Sequence, residues 1–223
     1  MFFSLRDNLH HCSAGGRTII LDIEADRYLA LPPGMDEAFR RAAGGEPCGS
    51  DDVRLLQSLL SRGLLIEQAQ VPGNDCSIRI VPASRDVISS VSCNPRLSML
   101  LQVAVAQCIV AWRIRFRGLP AIIRDLERCK FVSGCGVGQM HDHEYAGINA
   151  AFEALGLVFR RSDRCLVRSL AFLRICLRRG FAPNLVFGVQ ASPFSAHCWV
   201  QQSEAVLNDS IENVRPFTPI MAV

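Results

Sequence analysis

In the first third of the chain, short apolar runs alternate with polar positions and are punctuated by turn residues. "FFSLR", "RTIILDI" and "DRYLALP" predict three β-strands, with "EAD" as a hairpin connection between the last two. Pro32, Pro33 and Gly34 end that sheet. "MDEAFRRAAGG" then has a helical period closed by Gly44 and Gly45. In "SDDVRLLQSLLSRG", Ser50 is the expected N-cap, Val53, Leu55, Leu56, Leu59 and Leu60 form one apolar stripe, and Gly63 is the stop. "LLIE" reads as a last strand or as a short apolar tail. Strands and short helices in this proportion predict a small α+β domain.

The pattern changes in "AQVPGNDCSIRIVPASRDVISSVSCNP", which is rich in Pro, Ser, Asn and Asp. This places a first domain at residues 1–80, a linker at 81–95 and a second domain at 96–223. The second domain opens on "LSMLLQVAVAQCIVAW", residues 97–112, an apolar run interrupted by Gln102 and Gln107. It is shorter than the roughly 20 residues a spanning helix needs, so a buried core helix is expected and a membrane partner is not. "GLPAIIRDLERC", a Gly-rich turn "SGCGVGQ" and a helix "EYAGINAAFEAL" follow. "RCLVRSLAFLRICLRRG" predicts a strong helix ending at Gly180, and "NLVFGVQ", "SAHCWVQQ" and "AVLND" predict three strands.

Charge sharpens the division. The net charge of +3 is the sum of −3 up to residue 90 and +6 beyond it, a split that suits two domains with different partners. The sequence has ten cysteines, scattered through apolar stretches such as "QCIVAW" and "LRICLRR". The N-terminal residues have no secretory pattern, so a reducing, cytoplasmic setting is expected. No nucleic-acid partner is expected.

The candidate chemistry lies in the second domain. Ser162 or Asp163 is the expected N-cap of the long helix, which puts Cys165 in its first turn. Free amide groups and the helix dipole stabilise a thiolate there, and Arg161 and Arg164 act in the same direction. Cys176 and Cys198 read as packed thiols. In "SAHCWV", strand alternation puts His197 and Trp199 on the outer face and Ala196, Cys198 and Val200 on the core face. Asp209 follows His197 across an expected hairpin, where it can orient the imidazole. A Cys at a helix start with His and Asp on adjoining strands is a papain- or transglutaminase-like arrangement. Packing roles for all three remain the alternative. Cys129, Cys135, His141 and His143 are potential metal ligands at a spacing unlike that of zinc sites, so no metal is expected. "SGCGVGQ" lacks the Lys-Ser/Thr of a phosphate loop and reads as a loop beside the active cleft.

"RCLVRSLAFLRICLRRGFAPNLVFGVQASPFSAHCWVQQSEAVLND" resembles the C-terminal domain of lasso peptide biosynthesis B proteins, a transglutaminase-like leader peptidase family. The likeness rests on the Cys-Leu opening of the helix, its Leu-Arg-Arg-Gly ending, "FGV", "AHCWV" and the terminal "LND". It is close over residues 160–210 and general over 95–160. "TIILDIEADRYLALPPGMDEAF" with "LLQSLLSRGLLIE" resembles the small precursor-recognition domain of such proteins, which is related to a quinone-cofactor biosynthesis protein. The resemblance implies a winged-helix-like recognition domain followed by a transglutaminase/papain-like cysteine peptidase with Cys165, His197 and Asp209 as its triad. It further implies a precursor (leader) peptide as substrate and an ATP-dependent macrolactam synthetase as partner, with no cofactor on this chain. The leader is expected to add as a strand at "DRYLALP", near Tyr28, Leu29, Leu55 and Leu59. An amidase or acyl-transfer reaction, and a leader-binding escort without catalysis, are the two rival readings.

Overall fold

The computed structural model describes residues 1–68, 80–87, 95–132, 142–156 and 165–223. The chain divides into two compact units, residues 1–79 with 191–193, and residues 80–190 with 194–223. Both mix helices and strands.

In the first unit, β1 (Phe2–Leu5) pairs antiparallel with β5 (Leu65–Gln68), so "LLIE" returns as a strand. A separate sheet has the order β2-β3-β4, from β2 (Leu9–Ala14), β3 (Arg17–Asp22) and β4 (Arg27–Ala30). Gly15 and Gly16, both with positive φ, form the two-residue turn between β2 and β3. The strand β2 was not expected from "LHHCSA". It is an edge strand buried only at Leu9 and Ala14, so its apolar signal is weak.

Two helices, α1 (Asp36–Ala43) and α2 (Ser50–Ser61), close this core, with Phe3, Ile20, Phe39, Leu56 and Leu59 buried together. Ser50 is not the cap of α2. Gly49 takes that position, and its own N–H donates to the Asp52 carboxylate in the first turn at 3.1 Å, so the side chain that caps this end comes from inside the helix. Asp36 accepts the Thr18 N–H at 2.9 Å, joining the start of α1 to β3.

The second unit is built on a five-stranded sheet of order β10-β7-β8-β9-β6. Its strands are β6 (Arg85–Asp86), β7 (Asn184–Ala191), β8 (Phe194–Gln202), β9 (Ala205–Val206) and β10 (Thr218–Ala222). The expected linker therefore contains a strand. β6 runs parallel to β9, the Val87 N–H donates to Val206 O at 3.0 Å, and Val87 is fully buried. β10 was not expected because Pro219 interrupts its pattern. As an edge strand with a register shift after Pro219, it accommodates the missing donor.

Helix α3 (Leu97–Val132) merges the expected apolar helix with "GLPAIIRDLERC", broken at Gly118 (φ 73°, ψ 165°). It packs against α4 (Asp142–Gly156) and α5 (Cys165–Arg178). The expectation of a buried core helix is corrected here. Val103, Ala106 and Val110 are buried, but Leu97, Leu101, Val105, Trp112 and Phe116 are exposed, because the helix is apolar around most of its circumference and only one side is covered. The stretch Leu97–Lys130 is long and apolar enough to cross a membrane by length and composition.

Both faces of β8 are covered. Ser169 of α5 donates to Cys198 O at 2.9 Å, while Trp199 packs with Val186, Val206, Val214 and Phe217. Trp199 is thus buried (2 % exposed) rather than outward, because residues 80–83 and the segment 211–217 cover the face that strand alternation left to solvent. Gly188 on β7 makes room for it. A Cβ there would lie 2.7 Å from the Trp199 ring and 3.0 Å from Phe217 Cβ. Gly188→Ala is therefore expected to destabilise the protein by about 1–3 kcal/mol, read as a lowered urea midpoint. An unchanged midpoint would show that the Trp199 contact is not confining.

Candidate active site

Cys165 is the first residue of α5 and is half-buried. The expected cap residues Ser162 and Asp163, with Arg161 and Arg164, lie outside the described residues. The next turns of α5 carry Ser169, Leu170, Phe172 and Leu173 into the interior, and this amphipathic packing fixes where the helix begins.

His197 sits on β8, and its Nε2 lies 2.7 Å from Asp209 Oδ2. Their side chains are 19 % and 20 % exposed, enough for substrate access but far from full hydration. The imidazole is flanked by Trp199, with ring centroids 6.1 Å apart, and by Phe217 at 5.1 Å. Phe217 gave no signal in the sequence, since it lies 20 positions away in an irregular segment.

Asp209 is not on a strand paired beside His197, as the hairpin expectation had it. β9 ends at Val206, and pairing passes from backbone to side chain. The Leu207 N–H donates to Val200 O at 2.8 Å, and the Val200 N–H donates to Asn208 Oδ1 at 2.7 Å. Asp209 then opens the turn into α6 (Ile211–Val214). Its Oδ1 accepts the Ser210 N–H and the Asn213 amide, each at 2.8 Å, which leaves Oδ2 for the imidazole. Asn208 also donates from Nδ2 to Ser169 Oγ at 2.8 Å. The same buried side chain thus touches α5 and β8, one residue before the carboxylate that meets His197.

The electrostatics follow from these contacts. The Cys198 thiol beside Cys165 lowers the Cys165 pKa most. Burial opposes the shift, and His197 and the Cys198 N–H add to it, leaving the thiol at about 4. Cys198 itself is driven well above its ordinary value, first by Cys165 and then by burial, so it stays protonated as a donor. Burial favours neutral His197, but the bond to Asp209, followed by the interaction with Cys165, outweighs it and raises His197 to about 9. Asp209 is held low against its own burial by His197, Asn213 and the Ser210 N–H.

Between about pH 4 and 9 the pair is therefore a thiolate beside an imidazolium. Such a pair can attack a carbonyl and donate a proton to the leaving group. Cys198 was read as a packed thiol. Strand alternation assigns residues 197 and 198 to opposite faces, and nothing in the sequence says that the start of α5 meets both.

The residues expected to contact a leader fall in the first unit. Tyr28 and Leu29 are half-buried on β4, which pairs with β3 and is an edge strand among the described residues. Leu55 is exposed on α2, while Leu59 is buried in the core beneath the surface. Of the potential metal ligands, Cys135 and His141 lie outside the described residues. Among the described residues no group of three or more His, Cys, Asp or Glu side chains is placed to hold a metal.

Asp209→Asn tests the orientation of the imidazole. The substitution keeps the shape and removes the charge that raises His197, so the His197 pKa is expected to fall from about 9 towards or below its ordinary 6.5. Titration of the ring proton resonances by NMR measures it. A His197 that still titrates near 9 in the Asn variant would remove Asp209 from this role.

A search of curated proteins found no match, and neither did a search of solved structures. A family model of the transglutaminase-like superfamily matches residues 105–222, which takes in α5, the strand bearing His197 and the turn bearing Asp209. This superfamily includes cysteine peptidases and commonly has cysteine-based enzymatic activity. With that match over more than half of its length, the chain belongs to the transglutaminase-like superfamily.

Proposed function

We propose that this chain is a cysteine endopeptidase that removes the leader from a ribosomally made lasso precursor peptide. The observation that carries the enzymatic part is the convergence of Cys165 at the start of α5 with the hydrogen-bonded His197–Asp209 pair. Cys165 attacks the carbonyl at the leader–core junction. The His197 imidazolium gives its proton to the departing amine, and the neutral imidazole then activates water to release the acyl group. Asp209 holds the ring through both steps.

The choice of substrate rests on the sequence motifs that resemble lasso peptide B proteins. The first unit supports it by offering an edge strand, β4, to which an extended leader can add, with Tyr28, Leu29 and Leu55 nearby to select side chains. Leu59 supports that surface from below. Holding the leader on the same chain as the nucleophile raises its local concentration. An ATP-dependent macrolactam synthetase would then close the ring on the freed amino terminus.

Incubating the full chain with precursor peptide and following products by mass spectrometry tests this reading. Cleavage at the leader–core junction is expected, with Cys165→Ala lowering it by about a thousandfold or more while leader binding persists. A mass change without backbone cleavage would instead show acyl transfer or amidase chemistry. Binding without any product would show an escort, and wild-type cutting by the Ala variant would exclude Cys165 as nucleophile.

A further inference from the structure

Within the second unit, α3 and α5 line a partly open cavity of about 250 Å³ away from Cys165. On α5 its lining falls at Leu170, Arg174, Leu177 and Arg178, an i, i+4, i+7, i+8 stripe facing α3. On α3 the lining comes from both sides of the break at Gly118, with Val110 before it and Ile122 after it. The walls are thus largely aliphatic, and the charge is concentrated in arginines.

Those arginines are not equivalent. Arg113 is ion-paired with Asp125, which Arg117 also approaches at 3.5 Å, so the one carboxylate among the described lining residues is already engaged twice. Arg174 and Arg178 have no hydrogen bond or ion pair with any described residue. Arg174 is half-buried, and burial together with repulsion from Arg113 and Arg178 lowers its pKa. A guanidinium does not lose its proton in the accessible pH range. Arg174 therefore keeps its charge against burial first and the repulsion of Arg113 and Arg178 second, with no acid of a described residue bonded to it, and an anion placed between Arg174 and Arg178 would offset both.

We infer that this cavity is a binding site for a small amphiphilic carboxylate, with the anionic head between Arg174 and Arg178 and a short hydrocarbon body against Leu170, Leu177 and Ile122. The volume corresponds to about eight waters, enough for the body of a medium-chain fatty carboxylate. The planar fork of a guanidinium matches a carboxylate in two-point contact. This site does not depend on the peptidase reading, because its ligand touches neither Cys165 nor His197.

Octanoate is the probe, titrated into the full chain by isothermal calorimetry, with octanol and acetate as partial ligands. Octanoate is expected to bind at least about tenfold more tightly than octanol, which lacks the charge, or acetate, which lacks the body. Arg178→Gln, at an exposed position that leaves the fold intact, is expected to weaken octanoate several-fold, and Arg174→Gln about tenfold or more. Octanoate binding unchanged in both variants, or no heat from octanoate at millimolar concentration, would overturn the assignment. Equal affinity for octanol would do so too, by showing an apolar cavity indifferent to charge.

Discussion

A buried amide side chain holds this site together. Asn208 accepts the Val200 N–H and donates to Ser169 Oγ, and Ser169 in turn donates to Cys198 O. Three pieces of chain are thereby fixed in register: α5 with Cys165 at its start, β8 with His197 and Cys198, and the segment that delivers Asp209. Asn208 and Ser169 are 3 % and 1 % exposed, so breaking either bond leaves a polar group with no water to turn to. Geometry among the three reactive side chains therefore rests on a polar network that touches none of the reacting atoms. Asn149 extends it by donating to the Leu207 carbonyl, which ties α4 to the same segment.

Much of this was legible in the sequence where one face of an element decides its period. The helix from Cys165, the strands around Gly188 and His197 and the candidate triad follow from apolar spacing and residue chemistry. What escaped were features whose signal lies elsewhere in the chain. β2 and β10 are edge strands whose apolar patterns are diluted by His, Ser and Pro. Trp199 was placed outward because the cover on that face comes from residues 80–83 and 211–217, distant in sequence. The apolar run in α3 was read as buried for the converse reason. Composition gives hydropathy but does not say how much neighbouring surface exists to cover it.

Electrostatics explains why the site is only partly sealed. Burial alone would keep both His197 and Cys165 neutral. Asp209 reverses this for the imidazole, while Cys198 and His197 reverse it for the thiol, so each charge is stabilised by a partner rather than by water. Trp199 and Phe217 limit hydration of the ring without removing its access. In the first unit, β4 lies at the edge of its sheet among the described residues.

The chemistry of the site turns on Cys165 resting as a thiolate against the imidazolium of His197. The direct measurement is the ultraviolet thiolate absorbance of the wild-type chain minus that of Cys165→Ala, followed across pH and checked by the rate of iodoacetamide alkylation. Because the Cys165 pKa is depressed, the difference signal is expected to be present at neutral pH and to be lost only as pH falls through about 4. His197→Gln is expected to move that transition upward. A difference signal absent at neutral pH and appearing only near the ordinary thiol value of 9.0 would contradict the account.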